Sequence, residues 1–171
     1  MSHINFINRT HELAFLEDRY RSHKSELIIL YGRRRVGKTE LLIRFLKDKQ
    51  GIYILATTES EKTNIGIFAQ EISDFLNDPN FARVSYPSFE ALWTSFLSHH
   101  QVQKIVRIQQ KIPIVIDEFP YLIERDRSVP SQFQRIWDLH MRDSPVMLVL
   151  SGSSISIMEQ EVLGYKSPLY G

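Results

Sequence analysis

The chain contains no cysteine, which excludes disulfides, thiolate metal sites and cysteine nucleophiles, and fits a reducing compartment. It also lacks an apolar run long enough to span a bilayer, and its amino terminus lacks the apolar stretch of a secretory signal. A cytoplasmic location is the expectation. An excess of charge of one sign is missing as well. With 21 Lys+Arg against 20 Asp+Glu, the chain as a whole does not carry the electrostatic footprint of a nucleic-acid binder. The six histidines form no convincing metal site. His99 and His100 are neighbours on an expected helix, where adjacent side chains diverge.

What is present suffices for a folded domain. At 171 residues, with 43% apolar and 11% aromatic residues, the chain can bury a core of its own and disorder is not indicated. One α/β domain over 1–171 is expected, with a helical entry over about 1–24 and a core over about 25–171.

Gly32 to Thr39 reads G-R-R-R-V-G-K-T, which fits the Gly, four residues, Gly-Lys-Thr spacing of a loop that wraps the phosphates of a nucleoside triphosphate. Glycine at 32 and 37 allows backbone N–H groups to curl inward around phosphate oxygens. Lys38 would reach the β/γ-phosphates. Thr39, opening the next helix, offers a hydroxyl to Mg²⁺, while the free N–H groups and positive end of that helix face the anion. The binding set is Gly32, Arg33, Arg34, Arg35, Val36, Gly37, Lys38, Thr39 and the adjacent Glu40. The three arginines either raise the anion potential or meet a partner, although solvation at a loop tip is the commoner outcome.

The flanks suit the motif. Leu27 to Tyr31 is an apolar run of strand length before the loop, and Leu41, Leu42, Phe45 and Leu46 recur at helical spacing after it, with Lys47 and Lys49 in the last turn and Gly51 as a stop.

A phosphate-bound Mg²⁺ calls for a carboxylate on a neighbouring strand. Lys111 to Phe119 reads K-I-P-I-V-I-D-E-F, which places Asp117 at the carboxyl end of a buried strand, where ligands of such sheets gather. Thr39 and Asp117 are the metal-side residues. Glu118 is the candidate that orients and deprotonates an attacking water. Its alternative is an acid favoured at a helix start. A further strand, Pro145 to Leu150, runs into Ser151-Gly152-Ser153-Ser154. Ser151 is the candidate γ-phosphate sensor, with Ser153 second; alternatively Ser153 or Ser154 caps a helix over Ile155 to Glu161.

Strands separated by helices predict a parallel α/β fold. Ile52 to Ala56 is the second strand. Thr57-Thr58-Glu59 then leads to a helix marked by Ile65, Phe68, Ile72, Phe75 and Leu76. Asn77 to Asn80 is a loop, and Phe89, Leu92, Trp93, Phe96 and Leu97 mark another helix. The aromatic stripes, Phe133, Ile136, Trp137 and Met141 included, belong to packing against the sheet. Near the amino terminus, Asn8 or Thr10 can cap a helix carrying Leu13, Phe15, Leu16 and Tyr20.

Taken together, N-R-T-H-E-L, Y-G-R-R-R-V-G-K-T-E-L-L, V-I-D-E-F-P-Y-L, L-S-G-S-S and the trailing Y-K-S-P-L-Y-G resemble the archaeal-type P-loop ATPase family of the AAA+/STAND group. The resemblance implies a three-layer fold with a mostly parallel sheet in the order 5-1-4-3-2. It implies ATP and Mg²⁺ as ligands, and Asn8 and Arg9 near the base. It also implies that the chain stops before a fifth strand and a helical lid or winged helix, and that turnover by this core depends on those C-terminal elements. DNA or a protein partner would then act through the same C-terminal part. An exposed edge on the phosphate-loop strand predicts self-association. Three activities remain open: an Mg²⁺-ATPase, a nucleotide-gated switch with little turnover, and a small-molecule kinase, for which no acceptor pocket is legible.

Overall fold

The computed structural model describes residues 9–108 and 110–164. Asn8 and the Y-K-S-P-L-Y-G segment lie outside the described residues. Four strands form one parallel sheet: β1 (Glu26–Tyr31), β2 (Ile52–Leu55), β3 (Ile112–Asp117) and β4 (Val146–Gly152), in the order β1-β4-β3-β2. This is the expected order without its fifth member.

Burial follows from position in the sheet. Every residue of β3 and β4, the two central strands, is buried. In β1, an edge strand, only Ile28 is buried, so an apolar run that suits two covered faces is here only partly covered.

Side-chain alternation divides the central strands between two cores. Ile112, Ile114, Ile116, Val146, Leu148 and Leu150 join the larger core. Above it lie α3 (Glu61–Leu76), α4 (Pro79–Arg83), α5 (Phe89–Ser98), α6 (His100–Arg107), α7 (Pro120–Arg125) and α8 (Val129–Ile136). The opposite residues, Val115, Met147 and Val149, pack with Leu16 of α1 (Thr10–Arg21) and with Leu41, Leu42 and Phe45 of α2 (Lys38–Leu46). Layers of helix, sheet and helix result. The aromatic stripe of α3, α5 and α8 is core: Phe68, Phe89, Trp93, Phe96 and Phe133 are each at most 1% exposed. No helix among the described residues is long and apolar enough to cross a membrane.

Several local expectations are corrected. Helix α1 begins at Thr10 with Arg9 at the cap position and no side-chain cap bond, so Thr10 does not cap it. Residues expected as loop include the short helix α4, whose start is organised by Asp78 accepting from the Asn80 N–H. Helix α2 ends at Leu46, so Lys47 and Lys49 lie beyond it, and Lys49 pairs with Glu17 at 2.7 Å. His99 takes an extended backbone, ψ 138°, that separates α5 from α6. The His99 and His100 rings therefore stack at 4.4 Å instead of diverging, and His99 Nε2 lies 3.1 Å from Asp78. The helix before β4 widens into a π-helical stretch, Trp137–Met141. After β4, α9 (Ile155–Ile157) passes into another, Met158–Val162, with no side-chain bond from Ser154 at its cap.

Candidate nucleotide site

The carboxyl ends of the strands hold the candidate residues. Gly32 to Gly37 connects β1 to α2, and all but the two glycines are exposed. Gly37 has φ +82°, a backbone region that penalises a Cβ. Arg35 (φ 63°) also adopts it, at a cost of order 1 kcal/mol. Gly32 is less confined. A Cβ there would meet only Val36 Cγ2 at 3.8 Å, so the loop itself tolerates it, and the case for glycine rests on close approach of a phosphate. The Gly32 N–H donates to Gly152 O at 3.3 Å, which ties the loop to β4.

Lys38 is 7% exposed and donates through Nζ to the carbonyls of Gly32 (2.6 Å) and Arg33 (2.7 Å). Burial pushes its pKa down, opposed by the charges of Glu118 and Asp117. Arg9 reaches across from the start of α1 and donates to Val36 O. Arg34 donates to the Tyr121 hydroxyl at 3.1 Å; Arg33 and Arg35 are exposed, as is Glu40.

Asp117 is 1% exposed. Its Oδ2 accepts from Thr39 Oγ1 and from the Tyr53 hydroxyl, both at 2.7 Å, and its Oδ1 accepts from the Glu118 N–H at 3.0 Å. Tyr53 is the residue that sequence reasoning missed. Its signal was a polar tip inside the apolar run I-Y-I-L, on the strand next to Asp117. Burial, then the bond to Asp117, raises its pKa above the ordinary value.

Glu118 comes next with φ 56°, a left-handed conformation that costs a non-glycine residue of order 1 kcal/mol. Its carboxylate accepts from Ser153 Oγ at 2.9 and 3.1 Å. The Phe119 N–H donates to Ser151 O at 2.8 Å, joining the ends of β3 and β4. A Cβ on Gly152 would sit 2.5 Å from Pro120 Cδ, so only glycine admits this close packing. Ser151 is fully buried and its Oγ lacks a partner among the described residues. Ser153, not Ser151, contacts the acid pair.

The donor set fits a hard cation: a hydroxyl and a carboxylate share one hydrogen bond, and neither is soft. Among the described residues, no group of three or more His, Asp and Glu could hold a metal. Such a site suits Mg²⁺ shared with phosphate oxygens and water. A separate cleft of about 970 Å³ lies at the opposite, amino end of the strands, beside Ser25, Lys111 and Pro145. Lys111 Nζ is engaged there by Arg19 O and Ser22 Oγ, both at 2.8 Å.

Comparison with known proteins bears on the family and the fold. An uncharacterized protein of Methanocaldococcus jannaschii is 37% identical over 166 residues, which is 97% of this chain and 34% of that protein. An uncharacterized ATP-binding protein of the same organism is 55% identical over 47 residues, 28% of this chain and 80% of that protein. The chain thus spans about a third of the first relative's length. In fold it is similar to the Walker-type ATPase of Pyrococcus abyssi, with TM-score 0.68 and 20% identity over 96% of this chain and 51% of that one. It is also similar to Cdc6p from Pyrobaculum aerophilum, with TM-score 0.56 and 17% identity over 90% of this chain and 41% of that one. The family model for an ATPase domain predominantly from Archaea matches residues 6–171; the chain belongs to this P-loop ATPase family.

Proposed function

We propose that the chain binds ATP with Mg²⁺ and hydrolyses it, in a cycle that switches the conformation of adjoining or partner domains. The observation that carries this reading is the bond of Thr39 to Asp117 at 2.7 Å, with Lys38 and Glu118 at the same sheet edge. Loop N–H groups and the start of α2 bind phosphate oxygens. Lys38 leaves the carbonyls of Gly32 and Arg33 and donates to the β/γ-phosphates instead. Thr39, its hydroxyl donating a hydrogen bond to Asp117 Oδ2, would hold Mg²⁺ through its oxygen, with Asp117 behind it, and so bring charge neutralisation to the phosphates. Glu118, released from Ser153, orients a water and takes its proton. Ser151 serves as γ-phosphate sensor from β4, and Arg9 lies beside the nucleotide.

Calorimetric titration of ATP·Mg²⁺ into the parent and Lys38→Ala tests binding, and phosphate release by the parent and Glu118→Gln tests hydrolysis. Binding is expected only in the parent. Release is expected to fall by about 10²–10⁴-fold in Glu118→Gln, with binding kept. Unchanged release would remove Glu118 from the mechanism.

The hold of Ser153 on Glu118 favours a second reading, a switch that retains nucleotide with little turnover. Slow release beside tight retention of ADP distinguishes it. Edge pairing through β1 would make the chain self-associate, and sedimentation showing only monomer at high concentration would rule this out.

A further inference from the structure

Asp117 accepts three hydrogen bonds, and one comes from outside the phosphate-loop strand, its helix and the acid pair. Leu55 lies opposite Asp117 in the register of β2 and β3 and offers no donor. Tyr53, two residues before it on the same face of β2, extends its ring toward the carboxyl edge and closes on Asp117 Oδ2 at 2.7 Å. The ring is partly buried against the core beneath α1 and α2.

Thr39 Oγ1 bonds to the same oxygen. For the Thr39 oxygen to face a cation, its proton must point away, and Asp117 Oδ2 is the acceptor that draws it there. A carboxylate held at Oδ1 by the Glu118 N–H and at Oδ2 by Thr39 alone is free to swing Oδ2 by rotation about its side-chain bonds. The Tyr53 hydroxyl is a second donor on Oδ2 and opposes that rotation. We propose that Tyr53 is a positioning residue for the metal side of the nucleotide site: its hydroxyl fixes Asp117 so that Thr39 presents its oxygen to Mg²⁺. The inference rests on the Mg²⁺-nucleotide reading of the site. It assigns to edge strand β2 a part in metal binding and none in phosphate binding.

The test uses Mn²⁺ as an electron-paramagnetic probe of the whole chain in the presence of ADP, together with ADP titration in EDTA. Tyr53→Phe keeps the ring and removes the hydroxyl; Tyr53→Leu removes both. Mn²⁺ affinity is expected to fall about tenfold in both variants, within the range for loss of a partner behind a metal ligand. ADP affinity in EDTA is expected to stay at the parent value. Thermal stability is expected to fall further in Tyr53→Leu, which separates ring packing from hydroxyl positioning. Parent-like Mn²⁺ affinity in Tyr53→Phe would overturn the proposal, as would an equal loss of ADP affinity in EDTA. Failure of the parent itself to bind Mn²⁺ with ADP would overturn the nucleotide reading as well, so the two failures are distinguishable.

Discussion

The phosphate half and the metal half of the candidate site are built differently. Along the loop from Gly32 to Gly37 the side chains are exposed, two residues sit at positive φ, and Lys38 is spent on the loop's own carbonyls. At the end of β3, Asp117 is 1% exposed and takes donors from α2, β2 and its own successor. The difference arises from what each half must do. Phosphate recognition by backbone N–H groups calls for loop amides that are largely uncommitted; the Gly32 N–H is tied to Gly152 O, while the bonds of Lys38 to the loop carbonyls are ones a ligand could replace. A carboxylate buried at a central strand end must be satisfied before any ligand arrives, because an unpartnered charge there costs several kcal/mol. Under the proposed function the loop rearranges on binding, whereas the acid is set in advance.

Substitution of Lys38 strains this comparison most. Lys38→Ala removes charge-assisted bonds to phosphate, each worth about 1.5–3 kcal/mol. Two such bonds correspond to a loss of at least about 100-fold in ATP affinity. Without nucleotide, the melting temperature is expected to hold or rise, because a buried ammonium disappears along with its desolvation cost. Asp117→Ala is expected to behave oppositely. It leaves the Thr39 and Tyr53 hydroxyls and the Glu118 N–H without their acceptor, at a cost of about 2–3 kcal/mol to the nucleotide-free protein, or several degrees in Tm. If Asp117→Ala melts with the parent, the metal half is not the prebuilt element. If Lys38→Ala melts well below it, the loop is stabilising in its own right.

The same division explains what could be read from the residues. The loop motif, its flanking strand and helix, and Asp117 at a strand end all depend on spacing within one segment, and the strands formed in the expected parallel order. The contacts that distinguish this site depend on register between segments. Tyr53 reaches Asp117 only because β2 lies beside β3 with Leu55 opposite Asp117, a pairing that spacing along the chain does not encode. Along the chain Ser153 reads equally as a helix cap or a second sensor, and its bond to Glu118 depends on where β3 presents that acid. The extended backbone at His99 escaped for a related reason. The helical period continues through it, while its ring is drawn to Asp78 and the Gln101 N–H, so a tertiary contact overrides the local pattern.

Two smaller effects sharpen the contrast. Gly37→Ala places a Cβ on a residue at φ +82°, with an expected loss of about 1 kcal/mol in stability and weaker ATP binding, since the loop would relax away from the phosphate-ready shape. Calorimetry and thermal melting of this one variant show whether the loop geometry serves binding, stability or both.

Glu90 provides the control from the other side of the sheet. His140 at 2.9 Å, then Arg135 at 3.0 Å, stabilise its carboxylate and hold its pKa below the usual 4.5. Because the folded value is the lower one, the stability that Glu90 contributes is fully present above pH 4.5 and is lost as pH falls through the folded value. Glu90→Gln is therefore expected to make the acid limb of the stability profile shallower while leaving the neutral region little changed, as monitored by urea unfolding at stepped pH. ATP affinity at neutral pH should match the parent, because α5 and α8 pack in the larger core, whereas α2, which follows the loop, packs in the smaller one. An altered affinity would mean that the two cores communicate through the central strands, and the contrast between a prebuilt acid and a rearranging loop would then have to include the helices behind them.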